Sequence, residues 1–179
     1  MNQTFRVSLA AGFVLLLVTA MVAFAYPDLM TPEPAAGALQ PNTLCAKDER
    51  VIFACVLRRP AKIVSLCASK DLTSETGYLQ YRFGLPRKIE LEFPKDRLRT
   101  QDKFEYTHYF RARFELNDIN FTVDSVEYSV FNDYNGEEKL EVTLQGVSIK
   151  PTGKKEIRYN CRTKPKADYT DLQAALESH

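Results

Sequence analysis

The chain has little of the chemistry on which most catalytic sites depend. Its 179 residues include only two histidines, His108 and the terminal His179. No Gly-x-Ser-x-Gly elbow, phosphate-binding loop, His-Glu-x-x-His or Ser-x-x-Lys motif occurs in it. His108 shares the apolar parity of its predicted strand, which is typical of a hydrogen-bonded core histidine. We therefore expect a protein that is not an enzyme and uses no cofactor.

The chain also lacks an excess of charge of either sign. Its 24 basic residues nearly balance its 23 acidic ones, for a formal net charge of +1. Without Arg6, which precedes the first apolar run, the charges balance. A neutral protein has no electrostatic attraction to nucleic acid or to anionic membrane. We expect neither as a partner.

The amino end carries the one long apolar run of the sequence. Arg6 precedes an uncharged stretch from Val7 to Ala25 that closes on the small-x-small triplet Ala23-Phe24-Ala25. This order predicts a secretory signal peptide over residues 1–25 and a periplasmic or secreted protein. The run is long enough to cross a bilayer, so an uncleaved anchor is the alternative. After cleavage no stable membrane insertion is expected.

Composition divides the rest of the chain into three parts. Residues 26–44 contain four prolines and no apolar periodicity, and they predict a flexible leader. Residues 45–163 alternate strand-like runs with turn signals and predict one β-domain. Residues 164–179 form a tail, in which Thr170 and Gln173 have capping-box spacing and predict a short helix from Thr170 to Ser178.

Four cysteines, an even number, fit export into an oxidising compartment and predict two disulfides. Their spacing includes no Cys-x-x-Cys pair, so a metal site is disfavoured. In the first predicted hairpin Cys55 and Cys67 point to opposite faces, which disfavours joining them. Of the two pairings left open we prefer Cys45 with Cys67 and Cys55 with Cys161, because Cys161 shares the inward parity of the last strand.

The β-domain has a period of two almost throughout, which predicts about eight mostly antiparallel strands in an all-β fold, a small barrel or a sandwich. The predicted strands are 51–57, 62–68, 77–84, 88–93, a single long strand over 104–116, and runs near 121–132, 138–149 and 155–161.

Two turns can be tested for register. A three-residue loop at Tyr134-Asn135-Gly136 aligns Val130 with Leu140, and the same logic at Pro151-Thr152-Gly153 aligns Val147 with Ile157. Between the two turns the apolar parity switches at Gly146, which predicts a β-bulge there.

The runs VIFACVL, KIVSLCASKDL and GYLQYRFG, within residues 45–94, resemble a group of uncharacterised small secreted proteins of Gram-negative bacteria. Because that group has no assigned activity, the resemblance implies no functional residue. Size, export, disulfides and β-architecture are more distantly similar to periplasmic lysozyme inhibitors, which insert a serine- and glycine-rich loop into the lysozyme cleft. The nearest such run here is SKDLTSETG, residues 69–77.

The stretch GYLQYRFG, residues 77–84, supplies the candidate binding residues. Alternation assigns Leu79, Tyr81 and Phe83 to the core and leaves Tyr78, Gln80 and Arg82 in a row on the opposite face. Tyrosine and arginine are enriched in interface hot spots. We expect Tyr78 and Arg82, with Lys70 and Asp71 of the adjacent loop, to form part of a partner-binding surface; a solvated or covered strand face is the alternative.

The sequence thus predicts a protein-binding module of the cell envelope, such as an inhibitor, immunity or accessory factor, whose partner is another envelope or secreted protein. The alternative is a small-ligand carrier, which a barrel with an unfilled interior could be. The oligomeric state is left open.

Cleavage of the signal peptide gives the first testable prediction. The mature chain should begin at Tyr26, because the triplet Ala23-Phe24-Ala25 offers the small residues that signal peptidase requires. Intact-mass measurement on protein recovered from the periplasm or the medium checks this. A mass that retains residues 1–25 would show an anchor instead.

Overall fold

The computed structural model describes residues 42–137 and 139–176. The predicted signal peptide and most of the predicted leader lie outside these residues. Along the described chain, the strands and the single α-helix are β1 (Arg50–Val56), β2 (Ile63–Ala68), β3 (Leu79–Leu85), β4 (Lys88–Phe93), β5 (Glu105–Arg111), β6 (Phe114–Val123), β7 (Val126–Asn135), β8 (Val142–Pro151), β9 (Ile157–Asn160), β10 (Lys166–Ala167) and α1 (Leu172–Leu176).

The strands form two five-stranded antiparallel sheets, and neither sheet closes on itself. The first sheet has the order β10-β1-β2-β3-β4 and the second the order β5-β6-β7-β8-β9. The predicted all-β class is confirmed, and of its two forms the sandwich is the one observed. No helix within the described residues is long and apolar enough to cross a bilayer.

Aromatic side chains join the two sheets into one core. Phe121 of β6 lies 4.8 Å from Tyr81 of β3, 5.4 Å from Phe93 of β4 and 5.2 Å from Tyr128 of β7, measured between ring centroids. Such pairs add about 0.5–1.5 kcal/mol each beyond the burial of their area. The prediction that Leu79 and Tyr81 face the core is confirmed, since they are 0% and 1% exposed.

Two disulfides hold the fold, with the preferred pairing. Cys45 is bonded to Cys67, and Cys55 of β1 is bonded to Cys161, which follows β9. The second bond therefore links one sheet to the other across a sequence separation of 106 residues. In the chain-entropy model a loop of this length contributes about 4–5 kcal/mol. Two disulfides are typical of an oxidising compartment.

Both ends of the described chain belong to the domain. Thr43 and Leu44, which were predicted to belong to the flexible leader, are buried. The Leu44 amide and the Thr43 hydroxyl donate to Ser65 Oγ at 2.9 and 3.2 Å and hold these residues against β2. The predicted C-terminal helix is confirmed as α1. Its side chains Leu172, Ala175 and Leu176 are buried in the core.

The predicted single strand over 104–116 is wrong. The chain turns at Ala112 and Arg113, where Arg113 has φ +64°, and Arg111 of β5 faces Phe114 of β6. The next turn is formed by Asp124 and Ser125, both at positive φ, as in a two-residue hairpin loop. Neither turn contains a glycine, and this is why the alternating pattern concealed them.

The two predicted registers are also wrong. Val130 faces Val147 rather than Leu140, and Val147 faces Tyr159 rather than Ile157. The physical reason is that β7 stays paired with β6 as far as Asn135, which lies opposite Phe114. Beyond it, the Gly136 amide donates to the Arg113 carbonyl at 2.7 Å. Pairing then places Asn135 opposite Val142.

Gly146 has a different role from the predicted bulge. The ladder between β7 and β8 runs through it without a shift, whereas in the first sheet the register shifts beside Gly84. A Cβ on Gly146 would lie 2.0 Å from the Tyr159 carbonyl oxygen. Glycine is required there because β9 approaches closely.

Replacement of Gly146 tests this packing. Gly146→Ala should lower the free energy of unfolding by about 1–3 kcal/mol, because β9 has to move away from the new methyl group. Denaturant unfolding measures the loss. The control is Gly153→Ala, where nothing lies within 4 Å of the added Cβ and only the positive φ of +70° opposes it, at a cost of about 1–2 kcal/mol. An equal or smaller loss at Gly146 than at Gly153 would contradict the account.

Candidate functional site

Two of the three residues in the predicted binding row, Gln80 and Arg82 of β3, are not on the surface. Gln80 is 0% exposed and Arg82 is 2% exposed, so the prediction that Arg82 forms part of a binding surface is wrong, and the alternative of a covered strand face is the one observed for these two residues. The reason is a third layer: the segment Asn42–Glu49, tied down by the Cys45–Cys67 disulfide, covers the face of β2 and β3 that points away from the core. Alternation along a strand distinguishes two faces but does not reveal what covers each.

Arg82 holds this covering segment to the sheet. Its Nη1 donates to the Leu44 carbonyl at 2.8 Å and to Glu49 Oε2 at 2.7 Å, while Nη2 donates to Glu49 Oε1 at 2.6 Å. Its Nε donates to Gln80 Oε1 at 3.0 Å and to Glu92 Oε1 at 3.2 Å. The fork geometry of a bidentate arginine–carboxylate pair is thereby completed inside the protein.

The charges of this pair are stabilised by their partners. Burial alone raises the pKa of Glu49, but hydrogen bonds from Arg82, from the Tyr78 hydroxyl and from the Ala46 amide outweigh it and lower the pKa below its usual value. Burial also raises the pKa of Tyr78 to about 12, and the hydrogen bond to Glu49 adds to this. The Tyr78 hydroxyl donates to Glu49 Oε1 at 2.7 Å. Cys45, Glu49 and Cys67 lie close enough together to hold a metal ion, but the two sulfurs are bonded to each other in the disulfide and cannot act as thiolate ligands.

Of the remaining predicted residues, Tyr78 belongs to the cluster around Arg82, because both side chains donate to Glu49 Oε1. Tyr78 is half-buried beneath Arg97, whose guanidinium carbon lies 5.6 Å from the ring centroid. Lys70 and Asp71 are exposed in the loop before β3. The structure therefore leaves Lys70 and Asp71 on the surface and makes Arg82 a structural residue. A role for Lys70, Asp71 and Tyr78 in partner binding stays a prediction.

The second sheet presents a cluster of apolar side chains to solvent. Five residues on its outer face form what we call the outer apolar patch: Phe114, Leu116, Leu140, Val142 and Leu144. Leu140 is 79% exposed, Leu144 41% and Val142 38%. Together with neighbouring polar residues they line a shallow depression of about 590 Å³. The sequence pattern did not reveal the patch, because the predicted register paired Leu140 with the core residue Val130.

A charged cluster borders the patch. Arg158 of β9 lies over the ring of the buried Phe131, 4.0 Å from its centroid, and its Nη2 is 3.4 Å from Asp133 Oδ2. Burial raises the pKa of Asp133 to about 6, and the nearby Asp118 carboxylate adds to the shift. Burial raises the pKa of Asp118 as well. The border of the patch thus carries a carboxyl group that changes charge near neutral pH.

The other face of the second sheet, behind the outer apolar patch, carries polar and aromatic side chains. Tyr106, His108 and Phe110 form a row along β5, with ring centroids 6.0 and 5.6 Å apart. The prediction of a core histidine is wrong, because β5 extends past the covering sheet and leaves His108 exposed. Its Nε2 lies 3.4 Å from Glu115 Oε1.

Comparison with known proteins identifies no relative: no family model, curated protein or solved structure matches the chain. The resemblance to small secreted proteins of Gram-negative bacteria therefore stays a prediction.

The buried pair gives a stability prediction. Arg82→Met should lower the free energy of unfolding by about 3–5 kcal/mol, because it leaves the Glu49 carboxylate buried without its cation. The double variant Arg82→Met with Glu49→Leu should lose less, since it removes both charges. The control is Lys62→Met, which breaks the partly exposed Lys62–Glu90 pair and should cost about 1 kcal/mol or less.

Denaturant unfolding at several pH values measures these differences. Because the folded pKa of Glu49 is lowered, the contribution of the pair is present above pH 4.5 and is lost as the pH falls through the folded pKa. A double variant as unstable as Arg82→Met alone would contradict the assignment.

Proposed function

We propose that the protein is a non-enzymatic protein-binding module of the cell envelope, which acts by covering the surface of another exported protein. Inhibitor, immunity or accessory factor are the roles that fit this description. The oxidising compartment indicated by the two disulfides supports export to the periplasm or the medium.

The exposure of the outer apolar patch carries the proposal. Single exposed apolar residues are common on soluble proteins, but clustered ones bordered by polar groups mark interaction surfaces. Here Leu140, Val142 and Leu144 lie beside Phe114 and Leu116 on one face of a sheet, with Asp133 at the border. A partner with apolar side chains at the centre of its contact surface would bury this patch.

The small-ligand carrier is the second candidate, and one observation favours it. An apolar cleft of about 340 Å³ lies between the sheets, lined among others by Leu57, Tyr81, Phe83 and Tyr159. This volume is at the lower end of the range of small-molecule sites. The cleft is open to solvent and its neighbourhood is filled by the aromatic core, so we place it second.

Substitution of the patch tests the proposal. The variant Leu140→Asn with Leu144→Asn should keep the melting temperature near that of the wild type, because both side chains are exposed and no charge is added opposite Asp133. It should weaken partner binding by about 1–2 kcal/mol for each hot-spot residue. The partner is first isolated from the cell-envelope fraction with the wild-type protein and identified. Its affinity for each variant is then measured by calorimetry.

The chain offers a matched control. Leu98 and Leu85 are 78% and 43% exposed, against 79% and 41% for Leu140 and Leu144. The variant Leu98→Asn with Leu85→Asn adds the same amide groups elsewhere and should bind the partner as the wild type does. Equal affinity of the two double variants would refute the assignment of the patch.

A further inference from the structure

The edge strand β5 of the second sheet has features that allow it to pair with a further strand. Within the described residues β5 is hydrogen-bonded to β6 alone. All its residues except Tyr106 are exposed. Natural edges are protected by lysine, proline, bulges or short length. The seven residues of β5, EYTHYFR, contain neither lysine nor proline, whereas the other edge strands begin at a lysine or are at most four residues long.

The direction of the backbone groups of β5 follows from a bond on the neighbouring strand. The Arg113 carbonyl accepts from the Gly136 amide on the β7 side. Direction alternates along a strand, so Phe114, Leu116 and Asp118 direct their amides and carbonyls towards β5. Their partners there are Arg111, Tyr109 and Thr107. The amides and carbonyls of Tyr106, His108 and Phe110 consequently point away from the sheet.

The side chains of β5 are complementary to those of a second, antiparallel copy. When His108 is placed opposite His108 of the other copy, Glu105 lies opposite Arg111, Tyr106 opposite Phe110, and Thr107 opposite Tyr109. All outward-pointing backbone groups are paired in this register, because it matches even-numbered residues with even-numbered ones. Opposed side chains point to the same face, so each carboxylate meets a guanidinium and each aromatic ring meets another.

From this complementarity we propose that two copies of the chain pair through β5, around a two-fold axis at His108, to form a continuous ten-stranded sheet. The interface is isologous, as in most homodimers. It covers Phe110, which is 73% exposed in the single chain. This inference does not depend on the proposed function, since the outer apolar patch stays open in the dimer.

The helix beside β5 is compatible with this pairing. The buried side chains of α1, Leu172, Ala175 and Leu176, are part of the core cluster between the sheets. Tyr169, which precedes the helix, stacks on Tyr106 with 6.0 Å between ring centroids. Arg111 also pairs with Glu137 of its own chain, so the guanidinium would be shared between two carboxylates.

Cysteine cross-linking tests the position of the axis. In His108→Cys the two new thiols face each other at about 5.5 Å between Cα atoms, within the range of a disulfide. Mild oxidation should give a covalent dimer of this variant. The control is Phe110→Cys, two residues away and more exposed than His108. Its thiols lie about four residues apart along the paired strands and should not cross-link. Cross-linking of both variants to the same extent, or of neither, would overturn the proposal.

A charge exchange tests the register independently. Sedimentation equilibrium of the purified protein over about 1–100 μM should show a monomer–dimer equilibrium. Glu105→Arg should raise the dissociation constant about tenfold, because both opposed pairs become repulsive. Glu105→Arg with Arg111→Glu should restore the wild-type value. A wild-type protein that is monomeric throughout, or a double variant that stays dissociated, would contradict the pairing.

Discussion

The buried bidentate pair between Glu49 and Arg82 is the interaction on which the rest of this architecture depends. It is reinforced by the Cys45–Cys67 disulfide, and together they fix the segment before β1 across the outer face of β2 and β3. A buried ion pair contributes little net stability over a well-packed apolar pair of the same volume, but breaking one partner is costly. The pair therefore acts as a constraint on where the segment lies. Its position makes the first sheet the middle layer of three.

This constraint decides which sheet is available for recognition. All six residues of β2 are buried, since the core covers one face and the covering segment the other. The second sheet has the core on one face only, and its strands β6, β7 and β8 are ten residues long. Their far end extends past the core, where Leu140 and Leu144 remain exposed on one face and His108 and Phe110 on the other. Apolar residues in this part of the chain cannot be explained as core.

The sequence was sufficient for features that depend on short-range pattern. Alternation located β1 to β4 and the inward residues Leu79 and Tyr81, and face parity favoured the observed disulfides. Alternation failed where a segment distant in sequence covers one face of a strand. Arg82 is covered by Leu44 and Glu49, which lie 38 and 33 positions earlier, and no local pattern predicts that contact. It failed also at turns, because Asp124 and Ser125 adopt positive φ without glycine. The wrong registers that resulted concealed the outer apolar patch.

The two proposals about the second sheet have a joint geometric consequence. A two-fold axis at His108 that continues the sheet runs perpendicular to it, so the outer faces of both copies lie on the same side. Two outer apolar patches would then face one partner or two identical ones. When a partner has two matching sites, the second contact is intramolecular and its effective concentration is set by the rigid sheet rather than by diffusion. A modest affinity for a single patch would in that arrangement suffice for stable attachment to a repetitive envelope component, whereas a monomeric partner would be held only by the affinity of one patch.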